Sequence, residues 1–394
     1  MEGELVEHGT VIVDGDRIEK IVPGTSSVPS AEVIDLSDCL LLPGFVNCHC
    51  HLSLSALGGG MQPRQRFTDW ISDLLRLNAK ISDQEKWAAM DLGAEEMLQS
   101  GVTTLADYFP ETSWWNRYEG LPFRQVLFLE VLGFRKSVSQ SVLEQVKAVL
   151  EKYKGRNPLI DIGIAPHAPY SVSPGLFEAL VDLAKAQDCP VSCHVAEFKE
   201  EIRFLREGGV ELEQFLKERQ VYEESWEPPG VSAIEYLQQI GVLDGMLAVH
   251  MNHIREDLGR IEDSESLRAV FCPGSTRWFG RKEWMPVQAL LDIGIPVGLG
   301  TDSLASNKSL NYFDELRAAQ KMLPEIGPLD LLKMATRFGA QALGVDAGVL
   351  APGKKADIIG LKMEDEATDW PAIPFKPGRK RVDFSMVDGK VVLL

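Results

Sequence analysis

Apolar runs recur through the middle of this chain, each closed by a polar or turn-forming residue, with amphipathic stretches between them. The runs fall at residues 46–52, 103–108, 125–132, 159–167, 190–196, 247–252, 269–273 and 296–302. They read as buried strands. The stretches between them carry helix signals. Ser82-Asp83-Gln84-Glu85 is a capping box, and Trp87, Met90, Ala94 and Met97 follow at helical spacing. Gly101 sits where that helix should stop. Ser173-Pro174 opens another helix, with Leu176, Phe177, Leu180 and Leu183 on its buried side. Eight strand–helix alternations predict an α/β fold, a closed parallel (β/α)8 barrel of the TIM type.

The two ends keep a different rhythm. Residues 9–15 and 17–22 are short β-like pieces around an Asp-Gly turn, and residues 356–361 and 385–393 read alike. The expectation is a small β-sandwich domain assembled from both termini, residues 1–40 and 346–394, around a barrel at 41–345. One connection is anomalous. Residues 198–246 join two strands over a far greater length than is usual in a barrel. They contain helical pieces and a Trp226-Glu227-Pro228-Pro229-Gly230 turn. On a barrel this insertion would overhang the mouth, either as a lid that shapes substrate choice or as a peripheral helix pair or oligomer contact.

Charge narrows the classes of partner. The formal net charge is −18 and the pI about 4.9. Such a surface repels nucleic acid and anionic lipid, while local basic residues still allow an anionic small substrate. No apolar run approaches the ~20 residues that span a bilayer. Met1-Glu2-Gly3-Glu4 lacks the features of a signal peptide. The 6 cysteines show no disulfide-framework spacing, which fits a reducing compartment. The expectation is a cytoplasmic protein with a small-molecule substrate and neither a nucleic-acid nor a membrane partner. A homodimer is compatible with all of this.

The polar residues that close the strands carry the chemistry. His49 and His51 stand at i and i+2, so on a strand they share a face and can offer two imidazoles to one metal ion. The chain has 7 histidines. His49, His51, His167, His194 and His250 lie at or near the ends of apolar runs, and only His8 and His253 fall outside the pattern. Asp302 closes the last run. A barrel builds its active site at the C-terminal ends of its strands. One strand-end histidine is ordinarily structural, but six polar residues gathered at that rim are not explained by chance.

Pro43-Gly44-Phe45-Val46-Asn47-x-His49-x-His51, Gly101-Val102-Thr103-Thr104 and Gly300-Thr301-Asp302-Ser303 resemble the amidohydrolase superfamily. Within it, the chain is similar to the mononuclear cytosine/guanine/adenosine-type deaminases with a composite β-sandwich at the termini. The resemblance covers nearly the whole chain. It implies that His49, His51, His194 and Asp302 bind one divalent metal ion, with Zn2+ expected and Fe2+ the alternative. It further implies that Glu197 and His250 handle protons and that His167 faces the substrate. The chemistry is coherent: three neutral imidazoles and a carboxylate leave a position open for water, whose pKa the metal lowers. Asp302 can take the water's proton, Glu197 can protonate a ring nitrogen and bind substrate, and His250 can hold the attacking oxygen. The runs at 125–132 and 159–167 contain no lysine, so a bridging carbamate is not expected. The P-C-x-x-C run of the small zinc deaminases is absent as well.

There are departures from the family pattern. Many relatives carry H-C-P-x-S-N on the seventh strand, where this chain reads Phe271-Cys272-Pro273-Gly274-Ser275-Thr276-Arg277. The N-terminal β segment is shorter by about one strand, which implies a late start or a reduced sandwich. The nearest likeness within the superfamily is to aminofutalosine deaminases of menaquinone biosynthesis. It is carried by Phe128-Leu129-Glu130-x-Leu132-Gly133, Ala168-Pro169-Tyr170-Ser171-Val172, Cys272-Pro273-x-Ser275-x-Arg277, the run from Thr301 to Asn307, and Asp314-Glu315-Leu316-Arg317. This implies a hydrolytic deaminase of a 6-aminopurine nucleoside, with aminodeoxyfutalosine as the leading substrate. Arg277, with Arg281 beyond it, is then expected to bind a substrate carboxylate, against the alternative of a surface ion pair. Two other readings stand beside this one. One is a different amidohydrolase reaction on an N-heterocycle, such as guanine, cytosine or S-adenosylhomocysteine deamination or chlorohydrolysis. The other is a binding protein that kept the fold.

Overall fold

The computed structural model describes residues 5–25, 32–110, 112–262, 264, 266–363 and 369–394. Its strands, in chain order, are β1 (Gly9–Asp14), β2 (Arg17–Pro23), β3 (Cys39–Pro43), β4 (Phe45–Cys50), β5 (Val102–Phe109), β6 (Arg124–Val131), β7 (Ile160–Pro166), β8 (Val191–Val195), β9 (Met246–His250), β10 (Arg268–Phe271), β11 (Val297–Leu299), β12 (Ile358–Lys362), β13 (Phe384–Val387) and β14 (Lys390–Leu393). Strands β4 to β11 pair in parallel in chain order, and β11 returns to β4 to close the barrel. The expected (β/α)8 barrel is therefore present. Among the described residues no helix is long and apolar enough to cross a membrane.

Local signals account for several of its elements. The helix Asp83–Gln99 begins with both halves of the capping box, and Met90, Ala94 and Met97 are buried along one side. Gly101 then turns the chain at φ +92, where a Cβ would lie 2.7 Å from Val382, so only glycine fits this entry to β5. The helix Pro174–Ala186 buries Leu176, Phe177 and Leu180. One large core fills the space between strands and helices. A separate cluster joins Val46, Ala106, Val126, Ala165, Leu247 and Val270, drawn from six barrel strands.

The seam between β11 and β4 is narrow, with the single laddered pair Leu299↔Asn47. Side chains and loop backbone reinforce it. Asn47 donates to Thr301 Oγ1 at 2.8 Å and accepts from the Thr301 N–H at 3.1 Å. The Asp302 N–H donates to the His49 carbonyl at 3.0 Å.

Both termini build the small sheet region. Strands β14, β13, β12 and β3 form one antiparallel sheet, and β1 and β2 form a hairpin. Ile18 of the hairpin packs with Ala356, Ile358 and Phe384 of the sheet, so the two layers share one core as a small sandwich. Arg124, at the start of β6, fastens this region to the barrel. It bonds Asp357 at 2.9 Å and Asp388 at 2.8 Å in a largely buried network.

The insertion after β8 holds the helices Lys199–Glu207, Val210–Glu218 and Ala233–Gln239. Phe204 stacks on Trp226 at 4.2 Å, and both rings meet Phe134 on the loop after β6. The Phe67 N–H, at the start of the helix Phe67–Asn78, donates to Glu200. The insertion is thus packed down onto the rim of the barrel.

Candidate active site

The strand ends bring the polar residues together. His49 is the last residue but one of β4, and His51 lies one residue past its end. His194 lies within β8, and His250 ends β9. Ring centroids are 4.9 Å apart for His49 and His51, 5.0 Å for His49 and His194, and 5.5 Å for His49 and His250. His49 Nε2 lies 3.8 Å from Asp302 Oδ1. His167, one residue past β7, sits 4.9 Å from His194. Tyr108 walls the chamber at 4.6 Å from His49, its hydroxyl bonded to Ser192.

The hydrogen bonds indicate which nitrogens are free. The His194 Nδ1–H donates to the His167 carbonyl at 2.9 Å, leaving Nε2 for the chamber. Neither ring nitrogen of His49 has a partner, although the residue is 0% exposed. A buried neutral imidazole carries a lone pair that needs a donor or a Lewis acid, and an N–H that needs an acceptor. A metal ion would meet the first need here. Burial, followed by the neighbouring imidazoles, pushes His49 well below its ordinary value, which keeps it neutral as a ligand must be. Asp302 is oriented by Ser275, whose hydroxyl donates to Oδ2 at 2.7 Å, and by the Ser303 N–H on Oδ1. His49, His51 and His194 bring ligand atoms within 4.8 Å of one another, and so do His49, His250 and Asp302, so the two groups meet at His49 and offer nitrogen and oxygen donors of the kind that suit zinc.

A second group flanks these four. Glu197 is buried, with Oε2 at 3.7 Å from His250 Nε2 and Oε1 at 2.7 Å from Arg281. Burial raises the Glu197 carboxyl, but His250 and Arg281 outweigh it and hold the group down to about 2. Burial pushes His250 itself down to about 4, so the imidazole is neutral near pH 7. The permanent charge of Arg281 is then what keeps Glu197 ionised. Glu201 clamps the same turn from behind, its two oxygens accepting the N–H groups of Ala196 and Glu197 at 2.9 Å each. Burial pushes Glu201 up to about 8 in spite of those bonds.

The backbone is bent at these strand ends. Ala196, His250, Met251 and Asp302 all have φ between +45 and +74. Side chains other than glycine rarely adopt this region, and such strain collects at functional sites.

Arg277 lies elsewhere. It is exposed on the helix Pro273–Trp278 and makes no bond to the cluster among the described residues. Arg281 takes the place at the rim. Its guanidinium lies over Phe279 at 4.6 Å, and its Nη1 is buried without a partner. Sequence reasoning gave no role to Ser275, Glu201 or Glu130. Glu130 stands in β6 with its carboxylate, a His167 nitrogen and a His194 nitrogen within 4.8 Å of one another. The signal was an acid inside an otherwise apolar strand run.

Residues 40–392 match the sequence profile of the amidohydrolase family. The chain is 30% identical over 377 residues to 5-methylthioadenosine/S-adenosylhomocysteine deaminase of Pelotomaculum thermopropionicum, covering 91% of this chain and 82% of that one. It is 28% identical to 5'-deoxyadenosine deaminase of Methanothermobacter thermautotrophicus, covering 98% and 90%. The crystal structure of Helicobacter pylori aminofutalosine deaminase in complex with methylthio-coformycin superposes with a TM-score of 0.85 at 25% identity, covering 99% of this chain and 96% of that one. The strand-end histidines, the closed barrel and these likenesses agree: the chain is an enzyme of the amidohydrolase family, a hydrolase acting on carbon–nitrogen bonds.

Proposed function

We propose that this enzyme hydrolytically deaminates a 6-aminopurine nucleoside, using one divalent ion held by His49, His51, His194 and Asp302. The observation that carries the reading is the pairing of that donor set with a buried, ionised carboxylate, Glu197, on its flank. A divalent ion there supplies Lewis acidity that brings hydroxide within reach near neutral pH. Zinc suits the donors, with iron the alternative.

The chain's own residues divide the remaining work. Glu197 starts as the carboxylate, accepts a proton at Oε2, and passes it to the ring nitrogen beside the amino-bearing carbon. His250 holds the attacking oxygen. Asp302, aimed by Ser275, takes the second proton and gives it to the leaving amine. Water adds, ammonia departs, and a carbonyl replaces the amino group. His167 lines the substrate side.

The substrate proposed is aminodeoxyfutalosine. The likeness to the H. pylori enzyme supports it. The relatives' names favour a simpler 5'-substituted adenosine as the second reading. Ammonia release with aminodeoxyfutalosine, S-adenosylhomocysteine, 5'-deoxyadenosine, guanine and cytosine on one preparation tests both. The expected outcome is the highest kcat/KM for aminodeoxyfutalosine. A preference for a free base would end the nucleoside reading.

A further inference from the structure

We propose that Glu130 recognises the vicinal hydroxyls of the substrate's ribose, an inference that rests on the nucleoside reading above. The chamber has two unequal sides. His49, His194, His250 and Glu197 are buried, whereas His51, Glu130 and His167 are partly exposed. Solvent, and therefore the trailing part of any ligand, reaches the site past the second group. Glu130 is on that side, in β6, close to His167. Its Oε1 is shielded from solvent and has no hydrogen-bond partner.

The polarity of this flank selects what can sit there. A carboxylate is an acceptor at both oxygens. The His167 Nδ1 bonds the Ser171 hydroxyl at 2.7 Å, and that hydroxyl can donate onward to the Ala168 carbonyl. In that tautomer His167 donates at Nδ1 and its Nε2 is an acceptor. The bare Glu130 carboxylate needs hydrogen-bond donors from the ligand. The ring nitrogens of a 6-aminopurine nucleoside are acceptors. Its amino group sits at the reacting carbon, beside Glu197 and Asp302. The remaining donors are the sugar hydroxyls, attached at the far end of the ring system and trailing toward the open side. Two adjacent O–H groups match the two oxygens of one carboxylate. Nothing in the proton transfers assigned above uses Glu130.

The test uses the metal-loaded enzyme, wild type and Glu130→Gln, with adenosine, 2'-deoxyadenosine and 2',3'-dideoxyadenosine. All three carry the same reacting base. The wild type is expected to favour adenosine over the dideoxy compound by about 10- to 100-fold in kcat/KM, the range for a hydrogen bond to a charged group. In Glu130→Gln that ratio is expected to collapse toward one, through a loss on adenosine and little change on the dideoxy compound. Metal content per subunit is expected to be unchanged. An equal loss on all three substrates, or an unchanged ratio, overturns the proposal. So does a fall in bound metal, which would make Glu130 a ligand alongside His167 and His194. If the Gln variant does not fold, Glu130→Asp withdraws the same carboxylate by one methylene and reads the same ratio. A wild type that releases ammonia from none of the three, nor from aminodeoxyfutalosine, S-adenosylhomocysteine or 5'-deoxyadenosine, ends the nucleoside reading itself. One that deaminates all three without preference ends only the assignment of Glu130.

Discussion

Glu197 holds two partners at once, Arg281 on one oxygen and His250 near the other. Glu197→Gln keeps the shape and removes the charge. The expected outcome is normal metal content, little change in KM, and a kcat lower by at least ~10²-fold. Metal analysis beside steady-state kinetics checks this, and a near-normal kcat would remove Glu197 from the proton path. Ligand variants should behave differently, because His49→Ala, His194→Ala and Asp302→Asn are expected to lose the ion itself. The histidines were legible in the sequence because each one interrupts or closes an apolar run, where a polar group has few other reasons to be. Glu130 carried a signal, an acid inside an apolar run, but its role was not legible, because an acid near the end of a strand also reads as the start of a turn. Arg277 was preferred to Arg281 for want of a local turn. Gly280, at φ +66, folds the chain back so that the Arg281 backbone N–H donates to the Thr276 carbonyl, and the guanidinium reaches Glu197.

At the level of elements, the predicted strands other than β5 overran the real ones at their C-terminal ends, and the overrun is informative. Residues 296–302 read as one run, yet the ladder of β11 stops at Leu299. The residues that leave the ladder while keeping strand-like spacing are those of the site, His51, His167 and Asp302 among them. Gly300 lets β11 approach β4 at this point. A Cβ there would lie 2.8 Å from the Cβ of His49 and 3.0 Å from its carbonyl oxygen. Gly300→Ala must therefore displace His49 or the strand that carries it. Weaker metal binding and a stability loss of about 1–3 kcal/mol are expected. Metal titration and thermal unfolding check it, and a variant equal to the wild type in both would show slack at this contact. The insertion was the least legible element. Its helices owe their positions to Phe204 and Trp226 meeting Phe134, a contact between segments distant in sequence that no local periodicity reports.

Across the whole molecule, the terminal sheets and the barrel share one buried electrostatic tie, Arg124 with Asp357 and Asp388. Removing the cation leaves two acids without it. Arg124→Met is expected to cost about 3–5 kcal/mol, the range for breaking a buried pair from one side. Urea unfolding monitored by fluorescence measures the loss, and a cost below ~1 kcal/mol would show that the tie is ornamental. Asp388 adds a pH dependence. Burial raises its carboxyl, but Arg124 and Lys355 outweigh that and leave it below the ordinary range. A depressed folded value means its stabilisation is present above the unfolded value near 3.9 and is lost as pH falls through the folded one.

The narrow seam of the barrel has a kinetic consequence. β4 and β11 ladder through one residue pair, and their ends carry His49 and Asp302. An ion shared by those two side chains would be a clasp on one of the two joints of the ring that ladder through a single pair, the other being β7 to β8 at Ile164↔Val191. Stripping it with a chelator should let the ring breathe there first. Amide hydrogen exchange is expected to quicken in β4 and β11 while β6 and β7, laddered over seven pairs, stay protected. The same ion that serves the chemistry would then set how long the hoop stays shut.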